Sequence, residues 1–226
     1  NIRLKQLFDM MPIMSTAATR TNILDAAERL FASRGFDGTS IRAITREAGV
    51  NVAAVHYHFG TKEEVLRGVT DRVVIPINGT RVELLDRAVA DTAPFPPTVE
   101  AILEAFIRPD LVELRRIHKR GPAVARLMGR VYSDQTPWIQ AMTREQFSGI
   151  QQRFLSVLGD ALPDLSTGEI AWRMNRIAAV IVNLFATWPE EGMTEVQVDA
   201  TVDRLVAFLA PGLSAAEPTQ PPAGGQ

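Results

Sequence analysis

Apolar residues along this chain recur three and four positions apart, and no stretch alternates strictly, so the pattern predicts helices and no sheet. Near the start, Ile23, Ala27, Leu30 and Phe31 fall at helical spacing. They predict a first helix over about 19–33, capped by Thr19 or Thr21 and ended by Gly35. A second helix opens at the Thr39/Ser40 pair, whose hydroxyls can cap free backbone N–H groups, and places Ile41, Ile44 and Ala48 on one face. Gly49 stands where a helix end takes a left-handed residue, and Asn51 is a good N-cap for a short third helix over about 52–58. So short a helix is unstable alone and must be held by Val55 and Phe59 docking on the first two. That docking leaves Val52, Ala53, Ala54, His56, Tyr57 and His58 on or near the free face. Helix, tight turn, helix is the geometry that lays a second helix into the DNA major groove.

Thr61 and Glu64 stand three apart as a capping box opening another helix, which carries Val65, Leu66, Val69 and Val73 toward Pro76. Proline ends or kinks a helix, so a break or bend is expected near Ile75, followed by a helix with Val82, Leu85 and Val89. This bent rod is the expected link between the halves of the chain. The segment Asp91 to Pro97, DTAPFPP, reads as a rigid connection. Helices are then expected over about 98–118, 122–132, 136–160, 167–187 and 194–210, with a kink or local break at Pro109. Residues 212–226 are small, polar and proline-rich, and are expected to be disordered. The fold class is therefore all-α: a three-helix DNA-binding domain over 15–66 and a helical bundle over 67–211. Residues 1–14 begin on Asn rather than Met and are set apart as a leader or an expression-derived extension upstream of a start at Met11 or Met14.

Charge sharpens the picture. Net charge is −2, which argues against indiscriminate coating of nucleic acid, yet residues 15–72 carry eight Lys/Arg against seven Asp/Glu. Within Arg42 to Lys62, three bases and two histidines face only Glu47. A local basic patch on a mildly acidic protein fits specific docking, because phosphate contacts set position while net repulsion limits non-specific retention. The chain has no cysteine, which removes disulfides, thiol catalysis and thiolate metal sites and suits a reducing cytoplasm. His56 and His58 lie two apart on a helix and point to different sides, so no metal and no other cofactor is expected.

The run from Leu30 to Val65 resembles the tetracycline-repressor (TetR) family of bacterial transcription regulators. The resemblance is carried by Leu30, Phe31, Gly35 and Phe36; Thr39 to Ile44; Ala48 to Val50; Tyr57, His58 and Phe59; and Thr61 to Val65, in unbroken register over about 19–70. It implies a DNA-facing set of Thr39, Ser40, Arg42, Asn51, Val52, Ala53, Ala54, His56, Tyr57, His58 and Lys62. In that set Arg42 reaches a base edge, Tyr57 and His58 contact phosphates, and Lys62 with the next helix N-terminus grips another phosphate. It also implies a homodimer built on the last two helices, here through Ile177, Ile181, Leu184, Phe185, Val202, Leu205, Val206 and Leu209.

The C-terminal part is expected to sense a small hydrophobic effector between its helices, with Phe106, Met128, Trp138, Met142, Phe147 and Trp172 as contacts and Phe154 and Met174 as further candidates. The motif with Pro76 following looks most like a branch that includes fatty-acid-responsive repressors, which implies a fatty acid or acyl-CoA. The partners expected are thus a double-stranded DNA operator, a second copy and that effector, with no membrane. Two other classes are weighed against a ligand-responsive repressor. An enzyme needs a constellation, and the chain has no Glu-x-x-His pair, no glycine-rich phosphate loop and no Gly-x-Ser-x-Gly elbow. An architectural DNA binder without effector is expected to be small and strongly basic, unlike this chain.

Overall fold

The computed structural model describes residues 16–119 and 122–217. The leader, residues 120–121 and residues 218–226 lie outside the described residues. Among those described, nine helices and no strand are found: α1 (Thr16–Arg34), α2 (Ile41–Ala48), α3 (Val52–His58), α4 (Lys62–Thr92), α5 (Val99–His118), α6 (Pro122–Ser133), α7 (Pro137–Ala161), α8 (Thr167–Ala186) and α9 (Glu195–Ser214). The chain separates into two compact units after Thr70.

The first unit is small and its start signals act as the sequence predicts. The Ser40 hydroxyl accepts from the Ala43 N–H at 3.2 Å and begins α2. Gly49 ends that helix at φ 66°, a left-handed conformation that glycine adopts without steric cost. The Asn51 carboxamide oxygen accepts from the Ala54 N–H at 2.8 Å and begins α3. Ile23, Ala27, Phe31, Ile44, Val55, Val65 and Val69 are fully buried, so α3 is held by α1 and α2 as its length requires. At Gly68 a Cβ would lie 2.9 Å from the tip of the Leu24 side chain and 3.1 Å from the Phe59 ring, so α4 packs closely on both.

The second unit is a bundle around Ile102, Leu103, Ile107, Leu111, Leu114, Phe154, Leu158, Ile170 and Phe185. Helix α6 meets α8 backbone to backbone: a Cβ on Gly129 would lie 2.6 Å from the Ala186 nitrogen. Of the break or bend expected at Pro76 and the kink or local break expected at Pro109, the structure rules out the breaks, and the helix expected to end at residue 210 runs further. Helix α4 runs unbroken through Pro76, α5 through Pro109 and α9 through Pro211. Pro76 is exposed, so the carbonyl it leaves without an i+4 donor is on the wet side of the helix, where losing one bond is tolerable. Past Pro211 the helix continues to Ser214 because Leu213 is buried and Arg173, itself buried on α8, donates to the carbonyls of Leu213 at 2.9 Å and Ala215 at 2.5 Å. Residues 212–217 are therefore ordered against the bundle, contrary to the expected tail, and the Glu217 carboxylate accepts from the Ser166 N–H at 3.2 Å.

Candidate functional site

In the first unit, α2 and α3 bring the expected DNA-facing residues onto one surface, with two exceptions. Ser40, Arg42, Asn51, Ala53 and His56 are exposed, Val52 is partly so, and Tyr57 is 79% exposed, far more than a core aromatic would be. Ala54 and His58 are half-buried at its edge. The Tyr57 ring stands edge-on to His58 with centroids 5.1 Å apart, so the phenol is propped outward. His56 places Nδ1 2.8 Å from the Gly60 carbonyl. A carbonyl only accepts, so Nδ1 holds the proton and Nε2 is left for another partner. The one acid within the motif, Glu47, is paired with Arg29 at 3.2 Å, which leaves Arg42 and the equally exposed Arg46 to set the local potential.

The exceptions are Thr39 and Lys62. Thr39 is 1% exposed and its hydroxyl donates to the Gly35 carbonyl at 2.8 Å. Its side chain closes a turn and presents nothing to a groove. The Lys62 ammonium donates to the carbonyls of Phe36 at 3.0 Å and Thr39 at 3.1 Å and lies 4.0 Å above the Phe36 ring. The Phe36 carbonyl also accepts from the Thr39 N–H at 3.1 Å, so Lys62 adds a second donor there and ties it to the Thr39 carbonyl. It is a clamp on the loop rather than a free phosphate grip. The α4 N-terminus itself is capped by Thr61, whose hydroxyl accepts from the Glu64 N–H at 3.2 Å.

The second unit holds a cavity of about 250 Å³ among α4, α5, α6, α7 and α8. Of the expected contacts, Phe106 and Phe147 line it, as do Phe154 and Met174. Met128, Trp138, Met142 and Trp172 do not. Met128 and Met142 are buried as core filler, Trp138 is half-buried away from the cavity, and Trp172 is 56% exposed on the outer side of α8. Four of the residues assigned to the dimer contact are also relocated. Ile177, Ile181, Phe185 and Val202 are buried within the protomer's own core, and Ile181 and Phe185 form cavity wall. Leu184, Leu205, Val206 and Leu209 remain half-buried.

Sequence reasoning missed the polar part of the cavity. Arg81, 2% exposed, donates to the Phe106 carbonyl at 3.0 Å, to Asn78 at 3.0 Å and to Asp110 at 2.5 Å, and its guanidinium lies 4.4 Å from the Phe106 ring centroid. Burial pushes the Asp110 carboxyl up to about 6, against the lowering pull of Arg81 beside it. Burial, then the Asp110 charge, holds the Tyr132 phenol well above its ordinary range. The signal was present: Ile77, Arg81 and Leu85 share helical spacing, as do Leu103, Ile107, Asp110 and Leu114, so each charge interrupts a core stripe.

Comparison with known proteins assigns both units. Residues 23–69 match the model of bacterial regulatory proteins of the tetR family, and residues 104–212 match that of a tetracyclin repressor-like C-terminal domain. The HTH-type transcriptional regulator UidR of Escherichia coli (strain K12) is 28% identical over 169 residues, covering 70% of this chain and 78% of the relative. Among solved structures, the TetR family transcriptional regulator PfmR from Thermus thermophilus superposes with TM-score 0.60 at 16% identity, covering 85% of this chain and 99% of its own. The fatty acid degradation regulator FadR from Bacillus halodurans gives TM-score 0.59 at 19% identity, covering 86% and 96%. At those identities the structures speak for the fold alone. With a helix-turn-helix surface in the first unit, a helical bundle in the second, and family matches to each in the same order, the chain belongs to the TetR family of transcription regulators.

Proposed function

We propose that this regulator is a repressor that docks two copies of α3 in successive major grooves of a near-palindromic operator and lets go when a small, mostly apolar effector occupies the second-unit cavity. The observation that carries the reading is the outward face of α2 and α3, where exposed Arg42, His56 and Tyr57 surround the small residues Ala53 and Ala54. Small side chains allow close approach to base edges, and the flanking polar groups reach the phosphate walls. One such helix reads too few bases, so a two-fold pair with half-sites roughly 34 Å apart is required. The faces of α8 and α9 that stay exposed suit that pairing: Trp172, Ala179 and Asn183 on one, Ala207 and the 74% exposed Phe208 on the other, bordered by half-buried Leu184, Leu205, Val206 and Leu209.

Release follows if the effector prefers the DNA-incompetent arrangement, since a ligand shifts an equilibrium only by its differential affinity. The expectation of a fatty acid or acyl-CoA rests on motif resemblance, and a relative in fold regulates fatty acid degradation. The modest cavity favours a smaller body. Selection of operator fragments by the purified protein, followed by gel-shift titration, tests the DNA half. Arg42→Ala is expected to weaken operator binding by roughly tenfold with the fold intact, the scale of one lost base or phosphate contact. Unchanged affinity overturns the assignment of this surface. Tight retention of random DNA at physiological salt would instead favour the architectural reading.

A further inference from the structure

We propose that the effector is an uncharged molecule with a compact apolar body and a single oxygen function, a carbonyl or a hydroxyl, held by Tyr132 and Thr143. This rests on the reading of the second-unit cavity as the effector site. The body follows from the walls, where Phe106, Phe147, Phe154, Met174, Ile181 and Phe185 supply rings and aliphatic surface. The size follows from the volume of about 250 Å³. An apolar cavity of about 150 Å³ holds one benzene ring, so this one has room for one or two rings.

The oxygen function follows from two hydroxyls. Tyr132 Oη on α6 and Thr143 Oγ1 on α7 both belong to residues lining the cavity, both are shielded from solvent, and neither has a hydrogen-bond partner among the described residues. A buried hydroxyl forfeits its hydration and normally finds a partner, so two without one around the same chamber call for a polar atom inside it. A carbonyl oxygen accepts from such a hydroxyl; a ligand hydroxyl accepts from it or donates to it.

The absence of charge follows from what surrounds them. The Arg81 guanidinium spends three of its five N–H donors on Asp110, Asn78 and the Phe106 carbonyl, and its charge is already matched by the Asp110 carboxylate, so it has no uncompensated charge to offer a ligand carboxylate. The Asp110 charge acts on the Tyr132 hydroxyl, and an anion seated on that hydroxyl would meet the same field. Arg144 also lines the cavity but is exposed, at the mouth, which makes acidic ligands the alternative to be measured.

Calorimetric titration of the full-length protein with cyclohexanone and tetralone, with the hydrocarbon tetralin, with tetralin carboxylic acid and with palmitate separates these cases. At least one ketone is expected to bind about tenfold more tightly than tetralin, the yield of one to two hydrogen bonds. Tyr132→Phe and Thr143→Val should each weaken the ketone about fivefold and leave tetralin unchanged. Each should also raise the melting temperature of the ligand-free protein, because it deletes an unpaired buried hydroxyl. Opposite signs on stability and ketone binding are what a purely structural hydroxyl would not produce. Equal affinity for tetralone and tetralin, tighter binding of the acid or palmitate, or no ketone binding at millimolar concentration overturns the proposal. Preferential ketone binding with unchanged operator affinity upholds this ligand class and overturns the release mechanism instead.

Discussion

Gly129 lets α6 and α8 touch backbone to backbone, and replacing it by alanine should separate them. The added Cβ would lie 2.6 Å from the Ala186 nitrogen, 2.7 Å from its Cα and 2.9 Å from its Cβ. Carbon–carbon contacts are comfortable at about 3.5–4.0 Å, so the helices must part by the order of 1 Å, and no rotamer change relieves a clash with backbone. Overpacking of this kind costs about 2–3 kcal/mol. Against it stands the gain of about 1 kcal/mol from replacing a helical glycine by alanine. The net loss is about 1–2 kcal/mol, which lowers Tm by roughly 3–6 °C in a chain of this size. Gly149 supplies the internal control, because it sits in α7, is exposed, and has nothing within 4 Å of a built Cβ. Gly149→Ala should therefore stabilise by about 0.5–1 kcal/mol. Thermal unfolding of the two variants beside the parent decides the matter. A Gly129→Ala protein as stable as Gly149→Ala would refute the close approach of these helices.

Lys62→Met should destabilise the first unit by about 1–2 kcal/mol, since two loop carbonyls lose a charged donor, and should speed amide exchange around residues 36–39. An operator affinity that falls with no change in exchange would mean that Lys62 meets phosphate after all. Asp110 has a folded-state carboxyl near 6, above its ordinary value, so the folded state holds this proton more tightly than the unfolded chain does. Its contribution is thus complete below about pH 4 and is lost as the pH rises through about 6. The full contribution is on the order of 3 kcal/mol, of which roughly 2 kcal/mol falls between pH 4.5 and 6.5. Urea unfolding at pH 4.5 and 6.5 should show the parent losing that amount relative to Asp110→Asn, and parallel stabilities would refute it. Phe208→Glu puts a charge on the proposed pairing face of α9 and should turn a dimer into a monomer by light scattering. An unchanged mass would move the interface elsewhere.

Much of the first unit was legible because its signals are local. Ser40, Gly49 and Asn51 act within one turn of their own position, and a short helix forced Val55 inward. Thr39 and Lys62 were misread for the opposite reason. Their partners, the carbonyls of residues 35, 36 and 39, belong to a turn whose acceptors come within reach only once the chain is folded. In the second unit, helical spacing located the helices but could not say which neighbour each apolar stripe would meet. Ile181 and Phe185 therefore went to the cavity wall and not to a partner copy. Prolines at 76, 109 and 211 carry a local preference for ending a helix that the chain overrides, at Pro76 on an exposed face and at Pro211 through buried Leu213 and the Arg173 bonds. The charges at 81 and 110 satisfy each other across 29 positions, a separation no local pattern reaches.

The ends of α8 and α9 are fastened to each other by Arg173 at one carbonyl cluster and by Glu217 at the first turn of α8. Two such ties at the same end of the pair resist sliding, since a shift of one helix along the other by a single turn would strip both sets of bonds at once. The two rods should accordingly travel as a single plank, so that whatever strain an occupied chamber puts on α8 is delivered to α9 undiminished.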